Sequence, residues 1–290
     1  MKKYIIFISF LFLFSCSKSE RKIDFEKISW IAEYGYLEAE IYPITTTGQI
    51  PAPKISVTVE NITKNCIIDL GTYDFVLNEK DYDLQEFEPF RLVNRQISTR
   101  EMMLEEGVLT SINFLGQEEN DIFVFLMKKS IPSVSFSGLL GWQFFKDKIV
   151  TFDLKNNLVG IKNCSDIQSP SIKYFTSENP SIKNSMLKFE GTLYGNQITM
   201  SISSSLRHTQ ISPEILSQME IKNNGKFAKV DSISFGDHIL TDVTCQVNKD
   251  LVLLEPETKE PIDIIIGLNE LKSFLFTVNF CKNTLHLSKN

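Results

Sequence analysis

Histidine, metal-ligand motifs and excess positive charge are all scarce in this chain, and each scarcity excludes a class of function. Three histidines occur among 290 residues, and none stands near cysteine or aspartate at metal-site spacing, so we expect no metal and no cofactor. The sequence has no G-x-S-x-G turn and no P-loop, which are the signatures of serine hydrolases and of nucleotide binding. A net charge of −6 with interspersed signs offers no basic surface, so we expect no nucleic acid partner.

Long apolar segments are also missing, apart from one near the N-terminus. Lys2 and Lys3 precede the apolar residues 4–14, a run that is too short to span a bilayer and has the charge layout of a secretory signal. The run ends in Leu-Phe-Ser-Cys, which resembles a bacterial lipobox. We therefore predict a signal peptide over residues 1–15 and lipidation of Cys16. A generic signal peptide followed by a chance cysteine is the alternative.

Lipidation predicts where the protein is located. Acyl chains such as palmitate contribute ~0.8 kcal/mol per buried CH₂, and several of them hold a protein stably on a membrane. We expect a lipoprotein of the bacterial cell envelope that faces the periplasm or the cell surface, with residues 16–28 as a tether.

Cysteine usage leaves the disulfide state open. Processing would leave Cys66, Cys164, Cys245 and Cys281. Export permits disulfides, and one pair in each half would join Cys66 with Cys164 and Cys245 with Cys281. Four cysteines allow three connectivities, and buried free thiols are an equal alternative.

The body of the chain is rich in β-strand patterns and repeats itself. Alternating apolar and β-branched segments fill it from residue 34 onward, whereas helix signals are few and short, such as Ser212 as an N-cap before Pro213. ISVTVENITKNCIIDLGTYDFVL returns as FEGTLYGNQITMSISSSLRHTQI at an offset of 134 residues, and SGLLGWQFFKDKIVTFDLKNNLVGI returns as DIIIGLNELKSFLFTVNFCKNTLHL at an offset of 126. A strand-glycine-strand pattern around Gly116 and Gly236 also matches. Three landmarks in the same order predict an internal duplication.

A polar segment separates the two copies. Residues 166–184 are rich in Ser, Pro and Asn and show no clear periodicity. We therefore assign residues 29–165 to an N-terminal lobe and residues 185–290 to a C-terminal lobe, joined by this linker. The chain is long enough for each lobe to bury a core of its own.

Two features of each copy resemble the lobe pattern of pepsin-like and retropepsin-like aspartic proteases. They are a strand leading to Asp69-Leu70-Gly71-Thr72 and a later apolar-apolar-Gly turn, and the resemblance covers most of residues 50–290. It implies an all-β fold of two β-barrel lobes with few short helices and a cleft between the lobes. In that family each lobe supplies one Asp, followed by a Thr or Ser whose hydroxyl ties the two turns together. Leu70 has no such hydroxyl.

The second copy lacks the acid that this resemblance requires. Asp69 falls on Ser203 at the repeat offset, and Gly71 falls on Ser205. The two aspartates of such enzymes share a proton, so that one acts as base and the other as acid. A serine hydroxyl does not titrate near neutral pH, and losing one of two coupled groups lowers a rate by roughly 10²–10⁴. Asp69 is the candidate catalytic residue, and whether the chain is an enzyme is left open. The candidate binding residues are Gly71, Thr72, Ser203 and Ser204.

The expected function is therefore the binding of an extended peptide or protein in the interlobe cleft of a catalytically degenerate, membrane-anchored lipoprotein. Residues 97–109 are expected to cover the cleft, and residues 222–225 have the composition of a hairpin turn. The alternatives are an active aspartic peptidase that uses Asp69 and a structural surface lipoprotein with a vestigial cleft. A monomer is expected, because the second lobe already occupies the interface that a retropepsin-like dimer would use.

Overall fold

The computed structural model describes residues 23–46, 52–82, 84–85, 87–97, 100–115, 117–128, 136–165, 171–174, 186–249, 251 and 261–289. Strands dominate these ranges and helices are short, as the alternating sequence predicts. None of the helices in the described ranges has the length and apolar character needed to cross a membrane. The predicted signal peptide and Cys16 lie outside the described residues.

Strands follow one another along most of the described chain. In chain order they are β1 (Ile41–Pro43), β2 (Lys54–Val59), β3 (Ile62–Asp69), β4 (Phe75–Asn78), β5 (Phe87–Ile97), β6 (Arg100–Phe114), β7 (Gln117–Met127), β8 (Gly138–Gly141), β9 (Lys148–Asp153), β10 (Leu158–Asn163), β11 (Ile172–Lys173), β12 (Lys188–Leu193), β13 (Asn196–Ile202), β14 (Gln210–Ile211), β15 (Phe227–Phe235), β16 (His238–Val247), β17 (Ile264–Ile266), β18 (Phe274–Asn279) and β19 (Thr284–Lys289).

The helices are short. The α-helices are α1 (Ser29–Glu33), α2 (Pro213–Gln218) and α3 (Leu268–Leu271), and 3₁₀ turns cover Phe25–Lys27, Glu38–Glu40, Glu79–Asp81 and Trp142–Phe145. The predicted N-cap of α2 is confirmed, because the Ile215 amide donates to the Ser212 hydroxyl oxygen at 3.2 Å.

Two barrels of the same topology form the lobes. The first has the strand order β2-β3-β8-β4-β7-β6, closed by the pairing of β2 with β6, and β5 is added outside β6. The second is closed in the order β12-β13-β17-β14-β16-β15. Ile68 pairs with Leu140 in the first barrel, and Ile202 pairs with Ile266 at the matching repeat positions of the second. The predicted duplication is therefore present in both the strand order and the strand register.

A six-stranded sheet joins the two lobes, in the order β1-β10-β9-β18-β19-β11. Its central strands β9 and β18 pair antiparallel with Thr151 opposite Thr277, and the two hydroxyl oxygens lie 2.7 Å apart. These threonines occupy the same repeat position, so the pseudo-twofold axis of the molecule passes between them. Phe152 and Phe276 stack with ring centroids 4.6 Å apart on the face that packs against the core shared by both lobes.

The N-terminal segment covers the opposite face of this sheet. The Trp30 indole N–H donates to Asp153 Oδ2 at 2.8 Å, and the Tyr36 hydroxyl lies 2.8 Å from Thr151 Oγ1. Leu275 of β18 packs in the same apolar cluster as Trp30 and Tyr36. Since β9 comes from the first half and β18 from the second, this segment contacts both halves at once.

Two of the segments expected to connect structured parts are partly described. Ile23, Phe25 and Ile28, within the expected tether, pack against the cluster around Trp30. Residues 171–174 of the expected linker contribute β11, which pairs with β19 at the edge of the six-stranded sheet. Residues 16–22, 166–170 and 175–184 lie outside the described residues.

One disulfide is present among the described cysteines, and it joins Cys164 to Cys281. The pairings of Cys66 with Cys164 and of Cys245 with Cys281 are therefore wrong. Cys66 and Cys245 are free thiols, and both are buried in the core. Burial raises the pKa of each thiol to about 12. Cys164 follows β10, and Cys281 lies in the turn between β18 and β19, so the bridge connects the two halves across their shared sheet.

Removing this disulfide should destabilise the whole fold. Its two cysteines are 117 residues apart, and a bridge that closes so long a loop typically contributes about 2–5 kcal/mol. We expect the double variant Cys164→Ser/Cys281→Ser to unfold at a lower urea concentration than wild type, with a free energy of unfolding that is smaller by that amount. Reductant should shift the wild-type curve and leave the curve of the double variant unchanged. Identical curves for oxidised and reduced wild type would contradict this assignment.

Candidate active site

Asp69 is the last residue of β3 and lies where the turns of the two barrels meet. Its neighbours Ile68 and Leu70 are both fully buried in the core. Because side chains alternate along an extended backbone, these two anchors turn the Asp69 carboxylate to the opposite face. Asp69 pairs with Gly141 of β8 and is 8% exposed.

Three neutral donors hold the Asp69 carboxylate. The Gly71 amide donates to Oδ1 at 2.9 Å, and the Ser203 hydroxyl donates to the same oxygen at 3.0 Å. The Ser205 hydroxyl donates to Oδ2 at 2.5 Å, while the Ser205 amide donates to the Ser203 hydroxyl oxygen at 3.3 Å. The carboxylate therefore receives hydrogen bonds from both lobes.

Within the part of the chain that the structure describes, no second carboxylate hydrogen-bonds to Asp69; its partners are the amide and the two hydroxyls. Burial raises the pKa of Asp69, and the hydrogen bonds from Ser205, Gly71 and Ser203 offset that rise only in part. The described part of the site thus presents one titrating group among neutral donors. It can hold a proton or accept hydrogen bonds, but the proton-sharing pair of a dyad is not formed by the described residues.

Ser204 ties the second lobe to the backbone on both sides of Asp69. Its hydroxyl donates to the Ile68 carbonyl oxygen at 2.8 Å and accepts from the Leu70 amide at 3.0 Å. The resemblance implied such a hydroxyl from each turn. Here the link is one-sided, since the side chain of Leu70 packs in the core.

Gly71 permits the two turns to approach closely. A Cβ atom at this position would lie 2.7 Å from Ser203 Cβ and 2.8 Å from Ser203 Oγ, which is too close for any side chain. Only glycine therefore fits at position 71, where the aspartic-protease pattern also has a glycine. It also brings the Gly71 amide within reach of the carboxylate.

Thr72 accepts a backbone hydrogen bond, and the second lobe has the equivalent bond at the matching repeat position. The Trp142 amide donates to the Thr72 carbonyl oxygen at 2.8 Å, and the Leu268 amide donates to the Leu206 carbonyl oxygen at 2.8 Å. We call residues 69–72 and the matching residues 203–206 the active turns. In each lobe this bond joins the active turn to the first residue of the short helix that follows the apolar-apolar-Gly turn. The two turns thus have the same framework although their side chains differ.

The sequence did not reveal the role of Ser205. Its position suggested only the loss of a glycine, whereas its hydroxyl makes the shortest hydrogen bond to Asp69. The available signal was the repeat itself. At the offset of 134 residues, Ser205 matches Gly71, whose amide also donates to the carboxylate, so a hydroxyl at that place faces the acid from the other lobe.

A long hairpin and an apolar cluster flank this site. β5 and β6 form the hairpin, and Ile97 and residues 100–109 of the segment expected to cover the cleft belong to these two strands. The cluster contains Ile67 of β3, on the same face of the strand as Asp69, and Leu104 of the hairpin. Phe123 packs against this cluster, and its ring centroid lies 6.3 Å from that of Phe90, which is 61% exposed. The cluster therefore extends from the neighbourhood of the carboxylate to the hairpin.

The turn predicted at residues 222–225 is also confirmed. The Asn224 amide donates to the Phe227 carbonyl oxygen at 3.1 Å, and Gly225 has a φ of +82°. Glycine adopts this left-handed conformation without steric cost.

Comparison with known proteins places this geometry in a fold. No family model matches the chain, and no curated protein matches it. Among solved structures, the crystal structure of an aspartic proteinase from Irpex lacteus superposes with a TM-score of 0.59 at 11% sequence identity, covering 86% of this chain and 97% of that protein.

The chain has the two-lobed fold of a pepsin-like aspartic proteinase. The predicted fold class is thereby confirmed. At this level of identity the similarity establishes the fold and leaves the activity to be argued from the site.

Replacing Ser204 should loosen the contact between the lobes. Ser204→Ala leaves the Ile68 carbonyl and the Leu70 amide without their described hydroxyl partner in a buried site, and such a loss costs about 1–3 kcal/mol. We expect urea unfolding to show this decrease in the free energy of unfolding. Ser217→Ala, at an exposed position of α2, is the matched control and should stay within about 0.5 kcal/mol of wild type. Equal stability of Ser204→Ala and the control would contradict the interlobe role.

Proposed function

We propose that this protein is a lipid-anchored envelope protein that binds an extended peptide in its interlobe cleft without hydrolysing it. The observation that carries the proposal is the solitary carboxylate of Asp69, whose described partners are two serine hydroxyls and one amide. The place of the second catalytic acid is taken by Ser203.

The chemistry of the site argues against hydrolysis. Attack by water on an amide requires a base for the water and an acid for the carbonyl oxygen or leaving group, and a pair of coupled carboxyls supplies both. Ser203 and Ser205 donate to the Asp69 oxygens at 3.0 and 2.5 Å. Together with the Gly71 amide they occupy three of the about four lone-pair sites of the carboxylate. Neither hydroxyl can act as a second titrating acid near neutral pH.

The surroundings of the site support peptide binding. A cleft between two barrels, bordered by a projecting hairpin, fits an extended chain that forms main-chain hydrogen bonds with strand edges. The exposed Phe90 ring and the partly buried Phe123 ring beside it would bury an apolar side chain of that peptide at about 25 cal/mol per Å². The partner is thus a peptide, or an extended segment of a protein, with apolar side chains.

The lipobox-like sequence supports the location. Cys16 would carry the lipid, and the disulfide between Cys164 and Cys281 fits an exported protein, since such bonds persist in oxidising compartments.

Peptide binding and hydrolysis can be separated with the mature chain carrying Cys16→Ser. We expect no cleavage of an unbiased peptide library between about pH 3 and 7.5 above the level of the Asp69→Asn variant. We also expect the same library to yield extended apolar peptides that bind. Phe90→Asp should weaken their binding about tenfold or more, because it places a charge beside the apolar cluster.

Ile239→Asp is the control for this variant. Ile239 is 60% exposed, close to the 61% of Phe90, and lies in the hairpin of β15 and β16 in the second lobe, so its replacement should not change peptide binding. Cleavage that Asp69→Asn abolishes would instead establish an active peptidase. A protein that neither cleaves nor binds peptides would have a structural role.

A further inference from the structure

We infer that the anchored protein presents the sheet face covered by its N-terminal segment to the membrane and directs its cleft into the aqueous phase. This inference rests on the lipid anchor of the proposed function and adds the orientation of the cleft and the source of its ligand.

The first step is the position of the N-terminal segment. It packs on the face of the six-stranded sheet formed by Thr151 and Asp153, as the bonds from Tyr36 and Trp30 establish. Phe152, between these two residues in β9, points to the opposite face and belongs to the shared core.

The second step is the position of the cleft relative to that sheet. Leu70, next to Asp69, lies in the same shared core as Phe152. The core therefore separates the active turns from the sheet, and the sheet separates the core from the N-terminal segment. The hairpin of β5 and β6 also extends away from the six-stranded sheet. Its Met103 stands eleven residues before Phe114, up to about 37 Å along the strand, and Phe114 contacts Phe145 just before β9.

The third step is the length of the chain between lipid and fold. Ile23 already packs against the Trp30 cluster, and seven residue steps separate it from Cys16. Fully extended, they reach about 25 Å. A chain of this length folds to a body about 50 Å across, so a path from the covered face around to the cleft would be about 75 Å long. The tether is too short by a factor of about three.

The chemistry of the partner follows from this orientation. A cleft that faces away from the bilayer receives peptides from the aqueous phase, such as unfolded or processed protein segments of the envelope. A segment embedded in the same membrane would not reach the Asp69 site.

The orientation is testable by energy transfer on vesicles. The mature chain beginning at Cys16 is coupled through that thiol to a maleimide lipid, which is selective because Cys66 and Cys245 are buried and Cys164 and Cys281 are bonded to each other. A clickable, genetically encoded amino acid replaces either Lys155, an exposed residue in the turn between β9 and β10, or Met103, 58% exposed on the hairpin, and carries a donor dye. The vesicles contain an acceptor lipid.

We expect at least twofold higher transfer from position 155 than from position 103. Inserting 30 Gly/Ser residues after Lys22 should abolish the difference, because the longer tether allows all orientations. Equal transfer from both positions with the native tether, or higher transfer from position 103, would overturn the inference.

The same vesicles separate this inference from the proposed function. Chemical coupling fixes the tether length whether or not cells lipidate Cys16, and the mass of the protein purified from its membrane reports native lipidation independently. Peptide binding to the coupled protein is measured in parallel. Higher energy transfer from position 155 than from position 103 without peptide binding would support the orientation and contradict the proposed peptide binding. Peptide binding with equal transfer from both positions would support the proposed function and contradict the orientation.

Discussion

The hydrogen bonds between the two active turns are the constraint on which the rest of this structure depends. Ser204 holds the backbone on both sides of Asp69, and Ser203 and Ser205 hold its carboxylate. All three serines come from the second lobe. The turns that carry two acids in a catalytic pair thus connect the two barrels here, and among the described residues they present one titratable group with neutral partners.

The opposite end of the molecule has a second joint. β9 and β18 pair around Thr151 and Thr277, and Trp30 and Tyr36 brace this sheet from outside. Two joints at opposite sides of a continuous core fix the relative position of the barrels and therefore the shape of the cleft. A preformed cleft would lower the entropic cost of the peptide binding that we propose.

Much of this architecture follows from the sequence because a duplication carries its own alignment. The two offsets together, one matching Asp69 to Ser203 and the other matching the later strands, reproduce the strand registers. The sequence therefore predicts that the acid of the first lobe faces a hydroxyl of the second. The lack of a hydroxyl at Leu70 likewise predicts that the first turn cannot supply its half of the reciprocal link, and Leu70 packs in the core instead. These predictions succeed because local pattern and fold agree.

Other features depend on long-range packing that a single sequence does not encode locally. The partner of Cys164 is decided by which strand ends meet in the shared sheet, and four cysteines alone leave three choices. The hydrogen bond of Ser205 depends on an approach of the turns that Gly71 permits. Trp30 lies in a segment without strand or long-helix periodicity, and its hydrogen-bond partner Asp153 is 123 positions away.

The central claim is that one buried carboxyl titrates alone, and the pH dependence of the Asp69 carboxyl carbon tests it most directly. With ¹³C-labelled aspartate, assigned through the Asp69→Asn variant, the account predicts a single titration step with a pKa above the ordinary value of ~4, because burial disfavours the ionised form. Two coupled steps in this resonance, the signature of a shared proton, or a pKa below the ordinary value would contradict it.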